Sequence, residues 1–191
     1  IVVRLCLIRH FAPDIAPGVC YGQTDLTLKI PVAQEQERID TLRDKLAGLS
    51  LIAAPVFSSP LQRCRQLASV LSPDVAEDDR LRELDFGAWE MQTWDAIGPV
   101  ALDAWAADLA GFRPPGGETG YELQQRALQW LRQISADHDC AVAVTHGGVM
   151  RALQAHHQRL PSSAWLRLRY EYGDLLHLEF SPEQIHAAPV Q

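Results

Sequence analysis

The placement of short apolar runs limits most strongly how this chain can fold. Residues 2–8 and 140–145 are almost continuously apolar, and residues 55–58 form a shorter run. Apolar runs of this length, without polar alternation, are typical of strands that are covered on both faces, as in a parallel sheet. These three segments therefore predict the central strands of a buried sheet.

Helical spacing separates these runs. Apolar residues recur every three or four positions near residues 32–49, 61–71, 97–109, 123–134 and 148–157. Strands that alternate with helices indicate an α/β fold, which we predict to be a three-layer α/β/α sandwich with a mostly parallel central sheet. Residues 1–191 contain no internal repeat and no long linker, so we expect one domain.

The C-terminal part follows a different pattern. Between residues 166 and 172, leucine and tyrosine alternate with arginine and glutamate, which is the period of a strand with one face in water. Gly173 and Asp174 then favour a tight turn into residues 175–180. The sequence therefore predicts an antiparallel hairpin near the C-terminus, at one side of the sheet.

Charge and cysteine usage exclude several classes of protein. The net charge of −7 argues against nucleic acid as a partner, because proteins that bind long polyanions usually carry a basic face. No apolar run approaches the roughly 18 residues that a membrane span requires. The four cysteines, at positions 6, 20, 64 and 140, have no C-x-x-C spacing. We therefore expect reduced thiols in a cytoplasmic protein.

Charged and nucleophilic side chains collect where the predicted strands end. Arg9 and His10 end the first run, Arg63 lies one turn into the helix after the second, and His146 ends the third. Ligands of open α/β sheets bind outside the carboxyl ends of the strands. We therefore expect two histidines and two arginines to surround one crevice, together with helix N-termini that offer free N–H groups to an anion.

These residue types suit phosphoryl transfer without a metal. The planar guanidinium group of arginine matches two phosphate oxygens. A neutral imidazole nitrogen can attack phosphorus without a strong base, and the rest of the reaction needs mainly positioning and neutralisation of charge. The motif H-E-x-x-H and paired C-x-x-C motifs are absent, so a metallohydrolase is the weaker reading, and no cofactor is predicted.

Five ordered segments resemble the motifs of the histidine phosphatase superfamily, also called the phosphoglycerate mutase-like family. The resemblance implies the fold of this family, which has a mostly parallel six-stranded sheet with one antiparallel strand. The segments are LCLIRHFAP (5–13), SSPLQRCRQLA (58–68), LRELDFGAWE (81–90), PPGGETGYELQQR (114–126) and AVTHGGVMRAL (143–153).

The resemblance implies a role for each residue of the crevice. His10 would be the nucleophile and would form a phosphohistidine. Arg9 and Arg63 would clamp the phosphate of a small-molecule ester, and His146 would donate a hydrogen bond to it. Glu83 would protonate the leaving alkoxide and then activate water. Without the resemblance, Glu83 reads as a surface carboxylate in a charged run.

Substrate recognition depends on less specific segments. GVCYGQTDLTL (18–28) resembles a subgroup of α-ribazole phosphatases, which act in cobalamin synthesis. This resemblance would place Gln23 and Thr24 near the substrate, and Gly147 joins them through the V-x-H-G-G block. Phe11 departs from the family pattern, because it replaces the usual glycine after the nucleophile.

Two alternatives to a phosphatase stay open. A phosphoglycerate mutase-type transferase would need insertions that enclose the site, whereas the stretch between Glu83 and Glu118 is short. A non-catalytic protein of the same fold that binds phosphate ligands would have lost catalytic residues, whereas His10 and Arg63 are both present. The sequence therefore favours a phosphomonoesterase and leaves its oligomeric state open.

Overall fold

The computed structural model describes residues 1–190 and contains one five-stranded sheet. The strand order is β3-β2-β4-β1-β5, in which β5 runs antiparallel to β1 and the other neighbouring pairs are parallel. The fold is thus the predicted α/β fold with a mostly parallel sheet. The strands are β1 (Val3–Arg9), β2 (Val56–Ser58), β3 (Val75–Glu77), β4 (Cys140–Thr145) and β5 (Leu175–Phe180).

Helices cover both faces of this sheet and complete the three layers. No helix within residues 1–190 combines the length and the apolar character that crossing a membrane requires. The helices are α1 (Gln36–Gly48), α2 (Gln62–Leu71), α3 (Trp94–Ile97), α4 (Pro99–Ala107), α5 (Gly120–Asp137), α6 (Gly147–His157) and α7 (Pro182–His186).

The central strand β1 shows why the apolar runs are continuous. Cys6 and Ile8 point to the side of the sheet that α1 and α2 cover, whereas Leu5 and Leu7 pack on the opposite side with α5 and α6. All four side chains are completely buried. The stretch covered on both faces, Leu5 to Ile8, has no polar residue, and the charged Arg4 and Arg9 stand on either side of it.

The predicted hairpin is wrong in its first strand. Residues 175–180 form β5 as expected, but Ser162–Arg167 is a 3-10 helix and residues 168–174 form no strand. Trp165 packs against Ala152 and Ala155 of α6, with Leu168 at the edge of the same cluster. Packing on α6 therefore outweighs the alternating pattern, since strand preference depends strongly on context.

Two further expectations need correction. The sheet has five strands within residues 1–190 rather than the six that the resemblance implies. The stripe near residues 97–109 is divided at Gly98, whose φ of +89° separates α3 from α4. The helix after β2 begins at Gln62, and just before it the Ser59 hydroxyl accepts a bond from the Leu61 N–H at 3.3 Å.

Candidate active site

Three strand ends bring the predicted residues together. The His10 N–H donates to the Thr145 carbonyl at 3.2 Å, and the Ser59 N–H donates to the Val144 carbonyl at 3.0 Å. These bonds continue the pairing of β1 and β2 with the central β4. His146 follows β4 directly and is the N-cap residue of α6. The crevice expected at the carboxyl ends of the strands is therefore formed by backbone pairing.

The ring of His10 is held in one orientation. Its Nδ1 lies 2.7 Å from the carbonyl oxygen of Phe11, and only a ring N–H can donate to that acceptor. In the neutral imidazole, Nε2 then carries the lone pair. The side chain of His10 is only 2% exposed, and the residue lines a cavity at this end of the sheet.

The surroundings of His10 keep its ring neutral. Burial lowers the pKa of His10 from 6.5 to about 3, and the nearby positive charges of Arg63 and Arg9 act in the same direction. The hydrogen bond to Phe11 opposes this shift without cancelling it. A nucleophilic nitrogen that stays unprotonated at neutral pH is what phosphoryl transfer to histidine requires.

This lowered pKa predicts how stability depends on pH. The unfolded chain takes up a proton on His10 below about pH 6.5, whereas the folded chain resists it down to about pH 3. The free energy of unfolding should therefore fall as the pH drops through this window, by up to ~1.4 kcal/mol per pH unit from this group. In His10→Asn that contribution should vanish, and His146, whose pKa burial also lowers, stays in both proteins. Urea unfolding at several pH values measures the difference; parallel pH dependences would contradict it.

Arg63 lies against the nucleophile. Its Nε is 3.4 Å from Nε2 of His10, its Nη1 donates to the Thr24 carbonyl at 2.7 Å, and its Nη2 donates to the Gly22 carbonyl. A guanidinium group has five N–H donors, so two remain beyond these three contacts. Arg63 is completely buried, and its charge is fixed beside the atom that would receive the phosphoryl group.

Arg9, at the end of β1, is the second arginine near His10. Its Nη1 donates to the Tyr170 carbonyl at 2.6 Å, and its guanidinium carbon lies 4.2 Å from the centre of the Tyr172 ring. Its buried Nε has no hydrogen-bond partner within residues 1–190. Because an unpaired buried donor is costly, Arg9 has unused capacity to bind an anion, and it lines the same cavity as His10.

His146 is the buried fourth member of the cluster that His10, Arg63 and Arg9 form. Its ring centre lies 5.1 Å from that of His10, its Nε2 is 2.8 Å from the Ser59 hydroxyl, and it is completely buried. Burial lowers its pKa well below the usual value, and the charge of Arg63 adds to this effect. His146 and Arg63 adjoin His10, but neither is among the residues that line the cavity.

Glu83 is held by backbone groups at the cavity wall. Its Oε1 accepts from the Leu84 N–H at 2.8 Å, and its Oε2 accepts from the Gly148 N–H at 3.1 Å. A Cβ atom at position 148 would collide with Oε1 of Glu83. This close approach explains the second glycine of the T-H-G-G segment, and it places one carboxylate in the same cavity as His10 and Arg9.

The remaining predicted substrate residues point elsewhere. Nε2 of Gln23 donates to the carbonyl of Glu83 at 3.2 Å, and the hydroxyl of Thr24 donates to Oε2 of Glu90 at 2.9 Å. Gly147 lies beside Arg9, since an added Cβ would stand 3.6 Å from Nε of Arg9. None of the three lines the cavity; Gln23 and Gly147 contact lining residues, and Thr24 contacts Glu90.

Sequence reasoning missed the carboxylate that organises loop 22–24. Oε1 of Glu90 accepts from the Gln23 N–H at 2.8 Å, and Oε2 accepts from the Gly22 N–H and the Thr24 hydroxyl, each at 2.9 Å. The same loop presents the carbonyls that hold Arg63. Glu90 ends the F-G-x-W-E segment, so the motif was visible, but no pattern linked it to Arg63.

Glu90 should therefore affect anion binding at a distance. We expect Glu90→Gln to weaken binding of inorganic phosphate by about tenfold, because an amide places N–H groups where two backbone N–H donors need an acceptor and a charge-assisted bond is lost. Competitive inhibition by phosphate measures the effect, with Glu37→Gln on the exposed side of α1 as control. Unchanged phosphate inhibition alongside a lowered unfolding midpoint would show a purely structural role.

Two tyrosines were also missed. The hydroxyls of Tyr21 and Tyr172 lie 2.7 Å apart, the Tyr172 ring centre lies 5.8 Å from that of His10, and the Tyr21 ring centre lies 5.3 Å from the guanidinium carbon of Arg63. Both rings line the cavity. Tyr172 falls in the segment that was predicted as a strand, so its position against Arg9 depends on the path that the chain takes instead.

The arrangement is a buried anion site with a nucleophile and a carboxylate. Within residues 1–190, no group of three or more histidine, cysteine, aspartate or glutamate side chains is placed to hold a metal ion. The positive charges come from Arg9, which lies over the ring of Tyr172, and from Arg63, which lies near the ring of Tyr21. Such a site can bind a phosphate group, offer it a neutral imidazole nitrogen, and hold a proton donor within the same cavity.

Comparison with known proteins agrees with this chemistry. The family model described as histidine phosphatase superfamily (branch 1) matches residues 5–189. A glucosyl-3-phosphoglycerate phosphatase of Mycolicibacterium vanbaalenii is 30% identical over 186 residues, which cover 86% of this chain and 78% of the relative. A probable phosphoglycerate mutase of Proteus mirabilis is 29% identical over 176 residues, 88% and 80% of the two chains.

A solved structure of a related phosphatase has a similar fold. The native structure of a mycobacterial glucosyl-3-phosphoglycerate phosphatase superposes with a TM-score of 0.77 at 26% identity. The superposition covers 94% of this chain and 91% of the other. The similarity therefore extends over nearly the whole fold.

Proposed function

The chain belongs to the histidine phosphatase superfamily, and on this premise we propose that it hydrolyses phosphomonoesters through a phosphohistidine on His10. The observation that carries the proposal is the environment of His10. Its Nδ1 is bound to the Phe11 carbonyl, its Nε2 adjoins Nε of Arg63, and its ring lines a cavity shared with Arg9 and Glu83.

In the first step, Nε2 of His10 attacks phosphorus and the bond from phosphorus to the ester oxygen breaks. Glu83 gives its proton to the departing alkoxide, while Arg9 and Arg63 neutralise charge on the phosphoryl oxygens and His146 donates to one of them. In the second step, Glu83 takes a proton from water, the resulting hydroxide attacks phosphorus, and the bond to Nε2 breaks. Inorganic phosphate leaves, and the starting protonation of Glu83 is restored.

A phosphoglycerate mutase-type transferase is the second candidate, because one relative carries that name. The two functions differ in the fate of the phosphohistidine: water takes the phosphoryl group in a phosphatase, and the substrate takes it back in a mutase. The short segment between Glu83 and Glu118 supports access of water. A third candidate is a non-catalytic protein that binds phosphate ligands, and it would release no phosphate at all.

The test is phosphate release from a panel of phosphomonoesters in the presence of a chelator. Release shows a phosphatase; conversion of 3-phosphoglycerate to 2-phosphoglycerate with little free phosphate shows a mutase; binding without turnover shows a binding protein. The panel should include α-ribazole phosphate, because residues 18–28 resemble phosphatases of cobalamin synthesis. We place the reaction in the cytoplasm, a proposal that the four free cysteines support.

A further inference from the structure

The cavity that His10 lines extends well beyond the residues that would bind the phosphate group, which are here called the phosphate end. Its volume is about 480 Å³, within the range of about 300–1,000 Å³ that is usual for small-molecule sites. Arg9, His10 and the pair Tyr21–Tyr172 occupy one end, as their mutual contacts show. Glu83 lies near them through its bond to the Gly148 N–H, next to Gly147 beside Arg9. The other lining residues must therefore contact whatever group the phosphate is attached to.

This second part of the cavity, here called the leaving-group wall, is lined by mostly apolar side chains. Beyond the phosphate end, the side chains that can form a hydrogen bond are the exposed amine of Lys29 and the indole N–H of Trp94. Two members are prolines, which have no N–H to donate. The wall consists of Ala12, Pro13, Ile15, Ala16, Pro17, Gly18, Val19, Phe86 and Trp94.

Backbone bonds hold the wall in place without a ligand. The Trp94 N–H donates to the Gly18 carbonyl at 2.9 Å, and Val19 forms a bridge with Thr93. The Trp94 ring packs edge to face on Phe86, with ring centres 6.2 Å apart. Trp94 is half-buried, which leaves part of its ring open to the cavity. Two separate segments of the chain therefore form one preorganised apolar surface.

From this wall we infer that the leaving alcohol of the preferred substrate is apolar around its ring or chain, rather than a polyhydroxylated sugar or glycerate. This inference rests on the proposed function, because it concerns the group that His10 separates from phosphate. Several sugar hydroxyls placed against the wall would lose water and find few side-chain partners in exchange. An apolar alcohol would instead gain contact with Trp94, Ile15 and Val19.

The inference separates this chain from relatives named for other substrates. The name of the mycobacterial phosphatases specifies a glucosylated phosphoglycerate, whose hydroxyls need hydrogen-bond partners. Outside the phosphate end, two cavity-lining side chains could bind a polar substituent: the amine of Lys29, which is positively charged, and the indole N–H of Trp94. A preference for an anionic substituent would therefore act through Lys29, which the experiment below also tests.

The experiment compares three primary phosphate esters that each carry a six-membered ring: benzyl phosphate, cyclohexylmethyl phosphate and glucose 6-phosphate. We expect kcat/KM to be at least about tenfold higher for each of the two apolar esters than for glucose 6-phosphate, as the loss of apolar or paired contacts usually costs. Trp94→Ala should lower kcat/KM for benzyl phosphate about tenfold, mainly through KM, and leave glucose 6-phosphate almost unchanged. Trp94→Phe should retain most of the preference.

Controls separate a failure of this inference from a failure of the proposed function. Val100→Ala changes an apolar residue that is 84% exposed outside the cavity, and it should leave all three rates unchanged. If the esters are hydrolysed but glucose 6-phosphate is the best of them, the inference is wrong and the phosphatase stands. If Lys29→Met abolishes that preference for glucose 6-phosphate, recognition is polar. If none of the three releases phosphate while phosphate itself binds, the proposed function is wrong as well.

Discussion

Replacing His10 with alanine is expected to reduce phosphate release by about 10⁴-fold or more, because removal of a nucleophile leaves only the contribution of binding and charge. The change should leave the fold intact, since the ring contributes one buried neutral group and its loss relieves a proton-dependent cost at low pH. Activity is measured with one aryl and one alkyl phosphate, and folding by circular dichroism.

His186→Ala is the matched control, because it removes an exposed histidine of α7 outside the cavity. Its activity should equal that of the unchanged protein. Substantial phosphate release by His10→Ala, with the control unaffected, would mean that water attacks the ester directly and that His10 only binds the phosphate.

Glu83→Gln is expected to have the second-largest effect, and its size should depend on the leaving group. Alkyl esters need a proton on the departing oxygen, so their first step should slow by about 10²–10⁴-fold, the usual range for loss of a general acid. An aryl phosphate with an acidic phenol leaves without that proton, so its first step should change little. A rapid-quench measurement of the alcohol or phenol released in the first turnover gives both rates.

Glu183→Gln, on the exposed first turn of α7, is the control for the removed charge. Equal slowing of the alkyl and aryl esters would argue that Glu83 acts through its bonds to the Leu84 and Gly148 N–H groups rather than by transferring a proton. The amide retains an oxygen acceptor for one of these bonds, so a large uniform loss would point to displaced backbone.

The strand ends were predictable from sequence because two simple rules coincide there. Continuous apolar runs identify β1 and β4 as buried strands, and parallel neighbours bring their carboxyl ends together. His10 and His146 follow those runs directly, and the observed pairing of Arg9 with Thr145 confirms their adjacency. The proximity of Arg63 followed from its place near the start of α2, the helix after β2.

The supporting contacts were not predictable, because they depend on the paths of irregular segments. The alternation of residues 166–172 is also satisfied by packing on α6, so the pattern could not identify Tyr172 as the residue stacked on Arg9. The resemblance of residues 18–28 predicted Gln23 and Thr24 near the substrate. Their side chains instead form hydrogen bonds with the Glu83 carbonyl and the Glu90 carboxylate. Polar residues near a pocket are used to hold loops as readily as to bind substrate.

The burial of the cluster limits how it can work. His146 and Arg63 are completely enclosed, so they can stabilise a bound phosphoryl group only where it meets His10. Arg9, His10 and Glu83 are the members that meet the cavity directly. We therefore propose that the bond to phosphorus forms at Nε2 of His10, that the carboxyl group of Glu83 transfers the proton, and that the apolar surface that includes Trp94 binds the alcohol.

Trapping of the covalent intermediate tests this account most directly. Glu83→Gln should form the phosphoenzyme from a radiolabelled aryl phosphate and hydrolyse it slowly, because the second step lacks its base. After a rapid quench and proteolysis, the account predicts acid-labile, alkali-stable label on the peptide that contains His10, and none in the double variant with His10→Ala. Phosphate release without any labelled protein, or label on Ser58 or Ser59 instead, would contradict it.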